Sequence, residues 1–136
     1  MKLSLAVTVC NEYDEIQRLI PFLIENKRKQ DEVVVLFDQK NGDQKVADYL
    51  RTFSKLPNFQ FWRGHFDDDF AEWKNKLTDY CKGDYIFQID ADELPNELLI
   101  KNLPTILESN SDTDVYYVPR VNTVEGLTEE HINKWR

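Results

Sequence analysis

The sequence contains few of the residues that interrupt or cross-link a chain: 4 glycines, 5 prolines and 2 cysteines among 136 residues. Scarce glycine and proline, with 3 tryptophans, 6 tyrosines and 8 phenylalanines, exclude a low-complexity or disordered chain. The glycines are isolated, so no glycine-rich phosphate loop is present. Cys10 and Cys81 are too few for a disulfide framework or a zinc cluster. We expect two reduced thiols in a cytoplasmic protein.

Long apolar runs and an excess of positive charge are also missing. The longest apolar run is Val33–Phe37, far short of the ~20 residues that cross a bilayer. Leu3–Val9 leads into polar residues without a small-residue cleavage site, which argues against a signal peptide. With 17 Lys and Arg against 25 Asp and Glu, the net charge is −8, and an acidic surface repels nucleic acid. We therefore expect no transmembrane segment and no nucleic-acid partner, and a place in the cytoplasm or at the inner membrane surface.

Strand-like and helix-like patterns alternate along the whole chain. Helical stripes of apolar residues begin near Ile16, Val46, Phe70 and Leu98. Between them lie β-branched and aromatic runs that read as strands: Leu3–Val9, Val33–Phe37, Phe59–Trp62, Tyr85–Ile89 and Val115–Val118. This alternation predicts a three-layer α/β/α domain with a mainly parallel sheet and right-handed crossovers.

Local signals make finer predictions about the helices. We expect Asn11 to cap the first helix and Pro21 to kink or split it. Asp69 is expected to cap the helix that starts at Phe70, and Gly83 to end it. Pro104 should divide the helix that follows the fourth strand.

The most distinctive candidate site is the acidic turn Asp90-Ala91-Asp92, followed by Glu93. In parallel sheets flanked by helices, ligands bind beyond the carboxyl ends of the strands, and this turn directly follows a predicted strand. Oxygen-only ligands suit Mg²⁺ or Mn²⁺. The other interpretation is that Asp92 or Glu93 merely caps a helix beginning near Pro95. Spacing alone leaves both open.

Two other groups of polar residues fall near the same edge of the predicted sheet. Asp38 closes the second strand, where its carboxylate either accepts hydrogen bonds from a base or ribose or simply faces water. Lys74, Asn75 and Lys76 lie together on the helix that starts at Phe70. They either contact phosphates at that edge or form an ordinary solvated helix face.

Three segments of the sequence resemble the inverting family 2 glycosyltransferases with the GT-A fold. Leu5–Glu12 is similar to their first strand and "N-E" turn, and Val33–Asp38 to a second strand that ends in aspartate. Asn75 and Cys81–Glu93 resemble the block "N … A-x-G-D-Y-I-x-x-x-D-A-D-(D/E)". The resemblance implies a Rossmann-like nucleotide-binding half and the transfer of a sugar, with inversion, from a nucleoside diphosphate sugar to a hydroxyl acceptor. A UDP-sugar is the donor most expected.

The resemblance also implies roles for individual residues. Of the D-x-D pair, Asp90 would face the ribose, and Asp92 would hold the Mn²⁺ or Mg²⁺ ion that bridges the diphosphate; both are assigned to the metal site. A cation there would neutralise charge on the departing diphosphate. The implied donor-binding residues are Val9, Cys10, Asn11, Glu12, Asp38, Asn75, Asp90, Ala91 and Asp92.

The chain departs from the family pattern in two places. The turn after Asp38 lacks the usual second acid, and the family's general base comes well after the D-x-D, whereas this chain ends at Arg136, 44 residues after Asp92. No catalytic residue is therefore assigned within the chain, and we expect the general base to lie beyond Arg136. Residues 1–136 should form one donor-binding domain, truncated before the acceptor-binding half, that binds donor without efficient transfer. The truncated edge would expose the Tyr116-Tyr117 strand and invite self-association.

Two alternatives of other classes stay open. One is a non-catalytic module that binds a nucleotide sugar or a divalent cation. The other is an α/β phosphohydrolase with Asp90 as nucleophile. We rank it last because such enzymes have their D-x-D after the first strand, whereas the D-x-D of this chain follows the fourth predicted strand.

Overall fold

The computed structural model describes residues 2–92 and 100–105. Strands and helices alternate in this part of the chain, and all strand pairs are parallel. The strand order is β3-β2-β1-β4. Residues 100–105 are helical and follow β4. The elements are β1 (Leu3–Val9), α1 (Tyr13–Asn26), β2 (Glu32–Asp38), α2 (Gln44–Arg51), β3 (Phe59–Gly64), α3 (Phe70–Tyr80) and β4 (Tyr85–Asp90).

The sheet carries helices on both faces, which confirms the predicted α/β architecture. Alternate residues of β1 and β2 face the two sides. Leu5 and Val7 pack in one cluster with residues of α1 and α2, while Ala6 and Val34 pack with Leu77 of α3. Because both faces are covered, β1 and β2 are apolar and buried nearly throughout, as expected of central parallel strands.

The register brings the carboxyl ends of the strands to one edge of the sheet, called here the C-terminal edge. Thr8 lies opposite Asp90, and Val9 lies opposite Phe37. Since β1 is paired with β2 on one side and β4 on the other, the turns that follow these three strands are neighbours. The fold thereby assembles the segments that the sequence marked as candidate site residues.

The opposite edge contains a buried carboxylate that the sequence pattern did not reveal. Glu32 is 2% exposed, and it accepts hydrogen bonds from Ser4 Oγ at 2.6 Å, Lys82 N at 2.6 Å and Gln60 Nε2 at 2.9 Å. Burial alone would raise its pKa, but these hydrogen bonds, led by that from Ser4, lower the pKa of Glu32 below its ordinary value. Through these hydrogen bonds, the Glu32 carboxylate of β2 links β1, β3 and the turn that precedes β4.

The start of α1 differs from the expectation that Asn11 caps it. The helix begins at Tyr13 after Glu12, and no side chain caps its first turn. The Glu12 carboxylate instead accepts a hydrogen bond from Cys10 N at 2.9 Å. This bond closes the turn after β1. The helix therefore begins one residue later than it would if Asn11 were its cap.

Pro21 does not divide its helix, and the prediction for Pro104 lies at the limit of the described residues. α1 continues through Pro21, because Gln17 and Pro21 are both exposed and the carbonyl that loses its partner can be hydrated. Residues 100–105 are helical, but the residues after 105, where a division at Pro104 would show, lie outside the described residues. The other predictions for this region, including the helix start near Pro95 and the strand Val115–Val118 with its self-association, lie outside the described residues.

The predicted cap of α3 is confirmed, whereas its predicted end is wrong. Asp69 accepts a hydrogen bond from Glu72 N at 3.1 Å. The helix ends at Tyr80, and Gly83 lies beyond it, against β1, where its N–H donates to Ser4 Oγ at 2.8 Å. A Cβ atom at Gly83 would lie 2.6 Å from that oxygen, so this position requires glycine because of a close approach.

Candidate functional site

A cavity of about 480 Å³ opens at the C-terminal edge, between the ends of β1, β2 and β4 and the first turns of α3. Its volume falls within the ~300–1,000 Å³ range of small-ligand pockets. The edge of the sheet supplies the floor and the start of α3 one wall. The lining residues are Thr8, Val9, Cys10, Glu12, Asp38, Asn41, Phe66, Phe70, Trp73, Lys74, Asp90, Ala91 and Asp92.

Most of the residues expected to bind a donor line this cavity, but two do not. Asn11 is exposed in the turn after β1, outside the cavity lining. Asn75 is exposed on α3, and its backbone carbonyl accepts a hydrogen bond from Thr78 Oγ1 at 2.8 Å. The structure thus brings together the following predicted residues: Val9, Cys10, Glu12, Asp38, Asp90, Ala91 and Asp92.

Asp38 is almost completely enclosed at the end of β2, so the interpretation that it faces water is wrong. Only 4% of the residue is exposed. Its Oδ1 accepts from Lys40 N at 3.0 Å, Asn41 N at 3.4 Å and Phe66 N at 3.3 Å. Its Oδ2 accepts from Asn41 Nδ2 at 3.0 Å. Burial works against the ionised form, but these hydrogen bonds, led by the Asn41 side chain, lower the pKa of Asp38.

These contacts define what Asp38 can do for a ligand. A carboxylate offers about four acceptor positions. Most of them are used by the turn after β2 and by Phe66, so the carboxylate mainly fixes the cavity wall. Asn41 lines the cavity next to Asp38, although no sequence pattern had marked it as a site residue.

Cys10 is a protonated thiol at the end of β1. Its Sγ lies 3.8 Å from Asp38 Oδ2, toward which it donates. Burial, followed by the negative charges of Asp38 and Glu12, raises the pKa of Cys10 to about 11. Burial and the charge of Glu32 likewise raise the pKa of Cys81 to about 11. Both cysteines are free, as the sequence predicts.

Asp90, the first acid of the D-x-D, forms an ion pair with Lys74. The Lys74 Nζ lies 2.8 Å from Asp90 Oδ1 and 3.3 Å from Thr8 Oγ1. Thr8 Oγ1 in turn lies 3.4 Å from Asp90 Oδ1. Both charged side chains are about one-quarter exposed, so the pair faces the cavity. Of the two lysines expected near this edge, Lys74 is thus the one at the cavity, and Lys76 lies beside Gly64 at the end of β3.

Asp92, the second acid, is exposed and lines the cavity, while Ala91 between the two acids is buried. Among residues 2–92 and 100–105, no group of three or more His, Cys, Asp or Glu side chains could hold a metal ion. Asp90 and Asp92 do offer carboxylate oxygens, and Mg²⁺ is usually held by one or two carboxylates plus substrate phosphates. The donor set therefore fits a cation that arrives with a phosphate ligand, and not a closed protein cage.

Three aromatic rings form one wall of the cavity: Phe66, which precedes α3, and Phe70 and Trp73, which belong to the apolar stripe of α3. Phe66 contacts Phe70 with ring centres 4.8 Å apart and Trp73 with ring centres 5.8 Å apart. Trp73 is buried under α3 as predicted, but Phe70 is 71% exposed. The apolar spacing of α3 is correct. Phe70 in its first turn nevertheless lines the cavity and is mostly exposed, so it does not join the core.

The residues that line the cavity do not test the prediction about the general base. It is expected beyond Arg136, and Arg136 itself lies outside the described residues 2–92 and 100–105. Of the four carboxylates that line the cavity, Glu12 accepts from Cys10 N, Asp38 is bonded to its own turn, and Asp90 is paired with Lys74, while Asp92 is exposed. The expectation for the base therefore stays a prediction about residues after Arg136.

The comparisons with known proteins agree with this geometry. Residues 4–135 match the model of glycosyl transferase family 2. No curated protein matches the chain. Among solved structures, S. aureus TarS 1–349 is similar, with a TM-score of 0.69 at 16% identity over 82% of this chain and 33% of that chain.

Two other TarS structures give the same result. TarS 1–349 in complex with UDP has a TM-score of 0.66 at 16% identity over 82% of this chain and 33% of that one. A further TarS structure has a TM-score of 0.64 at 16% identity, over 80% and 20% of the two chains.

At this identity the likeness establishes the GT-A fold, and the chain spans about a third of the length of TarS 1–349. Because the family match covers nearly all of its residues, the chain belongs to glycosyl transferase family 2.

Proposed function

We propose that the chain binds a nucleoside diphosphate sugar in the cavity at the C-terminal edge, and that the protein transfers the sugar to a hydroxyl acceptor with inversion. The observation that carries this proposal is the convergence of Asp38, Asp90 and Asp92 on one cavity, in a chain of this family. A UDP-sugar is the first donor to test, because one similar structure, TarS 1–349, is a complex with UDP.

The charges of the cavity bear on how a diphosphate would be held. Glu12, Asp38, Asp90 and Asp92 contribute carboxylates to its lining, and Lys74 contributes an ammonium. A site with this excess of negative charge repels a diphosphate unless a cation comes with it. We therefore include Mn²⁺ or Mg²⁺ in the proposal, with Asp92 and then Asp90 as its protein ligands. When bound, the cation would neutralise the charge that develops on the departing nucleoside diphosphate.

The other described groups would position the donor. The rings of Phe66 and Phe70, tilted by 45° to each other, offer apolar faces on which a base could stack, and Asp38 holds Phe66 in place through its N–H. Val9, Cys10 and Asn41 also line the cavity, and Cys10 Sγ and the Asn41 amide lie next to Asp38, at 3.8 Å and 3.0 Å from its Oδ2.

The acceptor half and the general base lie beyond Arg136 in our proposal, since the chain spans about a third of TarS 1–349. A positioned base contributes roughly 10²–10⁴ in rate. The 136-residue chain should therefore bind donor and transfer sugar poorly, whereas a longer product of the same gene should transfer it. A non-catalytic binding module, the alternative, predicts no transfer by either protein.

The cellular setting is part of the same proposal. The two free cysteines suit a reducing compartment, so we place the protein in the cytoplasm or at the inner face of the membrane. In the part of the chain that the structure describes, no helix is long and apolar enough to cross a bilayer.

Calorimetry with UDP tests the proposed site. The wild-type chain should bind UDP more tightly with Mn²⁺ than without it, and Asp92→Asn should lose this metal-dependent gain. Asp79→Asn is the matched control, because Asp79 is an exposed carboxylate on α3 outside the cavity lining. Equal UDP affinity of wild type and Asp92→Asn, with and without Mn²⁺, would remove Asp92 from the site.

A further inference from the structure

The ion pair of Lys74 with Asp90 determines how much of the acidic pair is available to a cation. Nζ is 2.8 Å from Asp90 Oδ1 and also 3.3 Å from Thr8 Oγ1, so the ammonium is held against β1 and β4 together. Among the described residues that line the cavity, Lys74 is the one with a positive charge. A cation that approaches Asp90 therefore meets a positive charge already in contact with the same carboxylate.

We propose that Lys74 competes with the divalent cation for Asp90 and binds the donor diphosphate once the cation is in place. This inference rests on the proposed function. Like charges a few ångströms apart repel strongly at a partly buried site, so Lys74 weakens binding of a free cation. A diphosphate that arrives with the cation gives the ammonium a second anionic partner. The site thereby favours the metal–nucleotide complex over the metal alone.

The chemistry of lysine allows this exchange of partners. Its ammonium has three donors on a flexible four-carbon stem, so rotation about side-chain bonds can redirect it without moving α3. The side chain of Lys74 is 29% exposed, which leaves room at the cavity for such rotation. An arginine there would keep the charge but would hold the carboxylate with a rigid planar group.

Lys76 supplies a matched control on the same helix. It is exposed, its ammonium lies beside Gly64 at the end of β3, and it does not line the cavity. Lys74→Gln and Lys76→Gln remove the same charge from the same element. Any difference between the two variants therefore reports the local pairing with Asp90 and not the net charge of the protein.

The first experiment measures Mn²⁺ alone by electron paramagnetic resonance of the free ion. Lys74→Gln should bind Mn²⁺ about fivefold to tenfold more tightly than wild type, because one nearby positive charge is gone. Lys76→Gln should resemble wild type. Unchanged or weaker Mn²⁺ binding by Lys74→Gln, or an equal gain in both variants, would overturn the inference whether or not nucleotide binds.

The second experiment measures UDP by calorimetry at saturating Mn²⁺. Lys74→Gln should bind UDP at least about fivefold more weakly, since the diphosphate loses a charged donor, and Lys74→Arg should recover only part of the affinity, because its rigid group stays on the carboxylate. A purely structural role for Lys74 would weaken Mn²⁺ and UDP binding together, which contradicts the opposite signs expected here. Absence of UDP binding by the wild type would count against the proposed function, and the Mn²⁺ measurements would still decide the competition for Asp90.

Discussion

Replacement of Asp38 tests whether this carboxylate maintains the cavity wall. Asp38→Ala removes the acceptor of five hydrogen bonds. Three come from the backbone N–H groups of Lys40, Asn41 and Phe66, one from the Asn41 side chain, and a long one from Cys10 Sγ. Hydrogen bonds to a charged group are worth about 1.5–3 kcal/mol each, but water can reach part of this turn from the cavity, so the losses do not add fully. We expect Asp38→Ala to lower the free energy of unfolding by about 3 kcal/mol.

Asp38→Asn should lower the free energy of unfolding less than Asp38→Ala does, because asparagine can keep most of these hydrogen bonds. The amide oxygen can keep the three backbone donors that Oδ1 accepts now. The new NH₂ group would face Asn41 Nδ2, which now lies 3.0 Å from Asp38 Oδ2, until the Asn41 amide rotates to present its oxygen. That rotation restores a hydrogen bond, so we expect a loss of about 1 kcal/mol.

Urea denaturation followed by circular dichroism measures both losses. Asp43→Asn is the control, because Asp43 precedes α2, makes no side-chain cap hydrogen bond, and asparagine caps a helix as well as aspartate does. A loss for Asp38→Ala no larger than that for Asp43→Asn would refute the structural role.

The pKa of Asp38 is lowered in the folded chain, so the stability that its ionised carboxylate contributes is present above its ordinary pKa of 3.8 and is lost as pH falls through the lower folded pKa. The stability difference between wild type and Asp38→Asn should therefore be constant near neutral pH and shrink only in acid.

Three further predictions follow from single contacts. Gly83→Ala places a Cβ 2.6 Å from Ser4 Oγ and 2.7 Å from Ser4 N, and urea denaturation should show a loss of about 1–3 kcal/mol; an unchanged midpoint would contradict the close approach. Cys10, whose pKa is raised to about 11, should react with iodoacetamide much more slowly at pH 8 than in the denatured chain, and more slowly still with UDP and Mn²⁺; mass spectrometry of the modified peptide measures the rates. Phe70→Ala should change stability by no more than about 0.5 kcal/mol, since the ring is 71% exposed, yet weaken UDP binding severalfold by calorimetry if a base stacks there; unchanged affinity would exclude that contact.

The fold was predictable because it depends on patterns that repeat along the chain. The alternation of strand and helix periods predicts a parallel sheet with helices on both faces, and the structure has that arrangement. In such a sheet the residues after consecutive strands meet at one edge. The order of the strands along the chain therefore sufficed to place Asp38 and Asp90 at the same edge, and both line the cavity.

The details that escaped prediction depend on helix phase and on contacts distant in sequence. Trp73 and Lys74 line the cavity, whereas Asn75 does not, because at about 100° per residue it points about 200° away from Trp73 around the helix. The sequence indicated that this helix approaches the edge but not its rotation. The burial of Asp38 depends on Phe66, 28 residues later, whose N–H completes its set of donors. A local sequence pattern cannot predict a contact between residues that far apart in the chain.

The described carboxylates near the C-terminal edge divide into two kinds, and the division predicts different consequences for their replacement. Asp38 is 4% exposed and already satisfied by the chain, so its loss should lower stability and, through the displaced wall, nucleotide affinity as well. Asp92 is exposed in the turn after β4, so Asp92→Asn should leave the free energy of unfolding within about 0.5 kcal/mol of wild type. Its effect should instead be confined to the metal-dependent part of UDP binding. Urea denaturation and calorimetry on the same preparations test this separation, and a large loss of stability in Asp92→Asn would mean that this carboxylate also supports the fold.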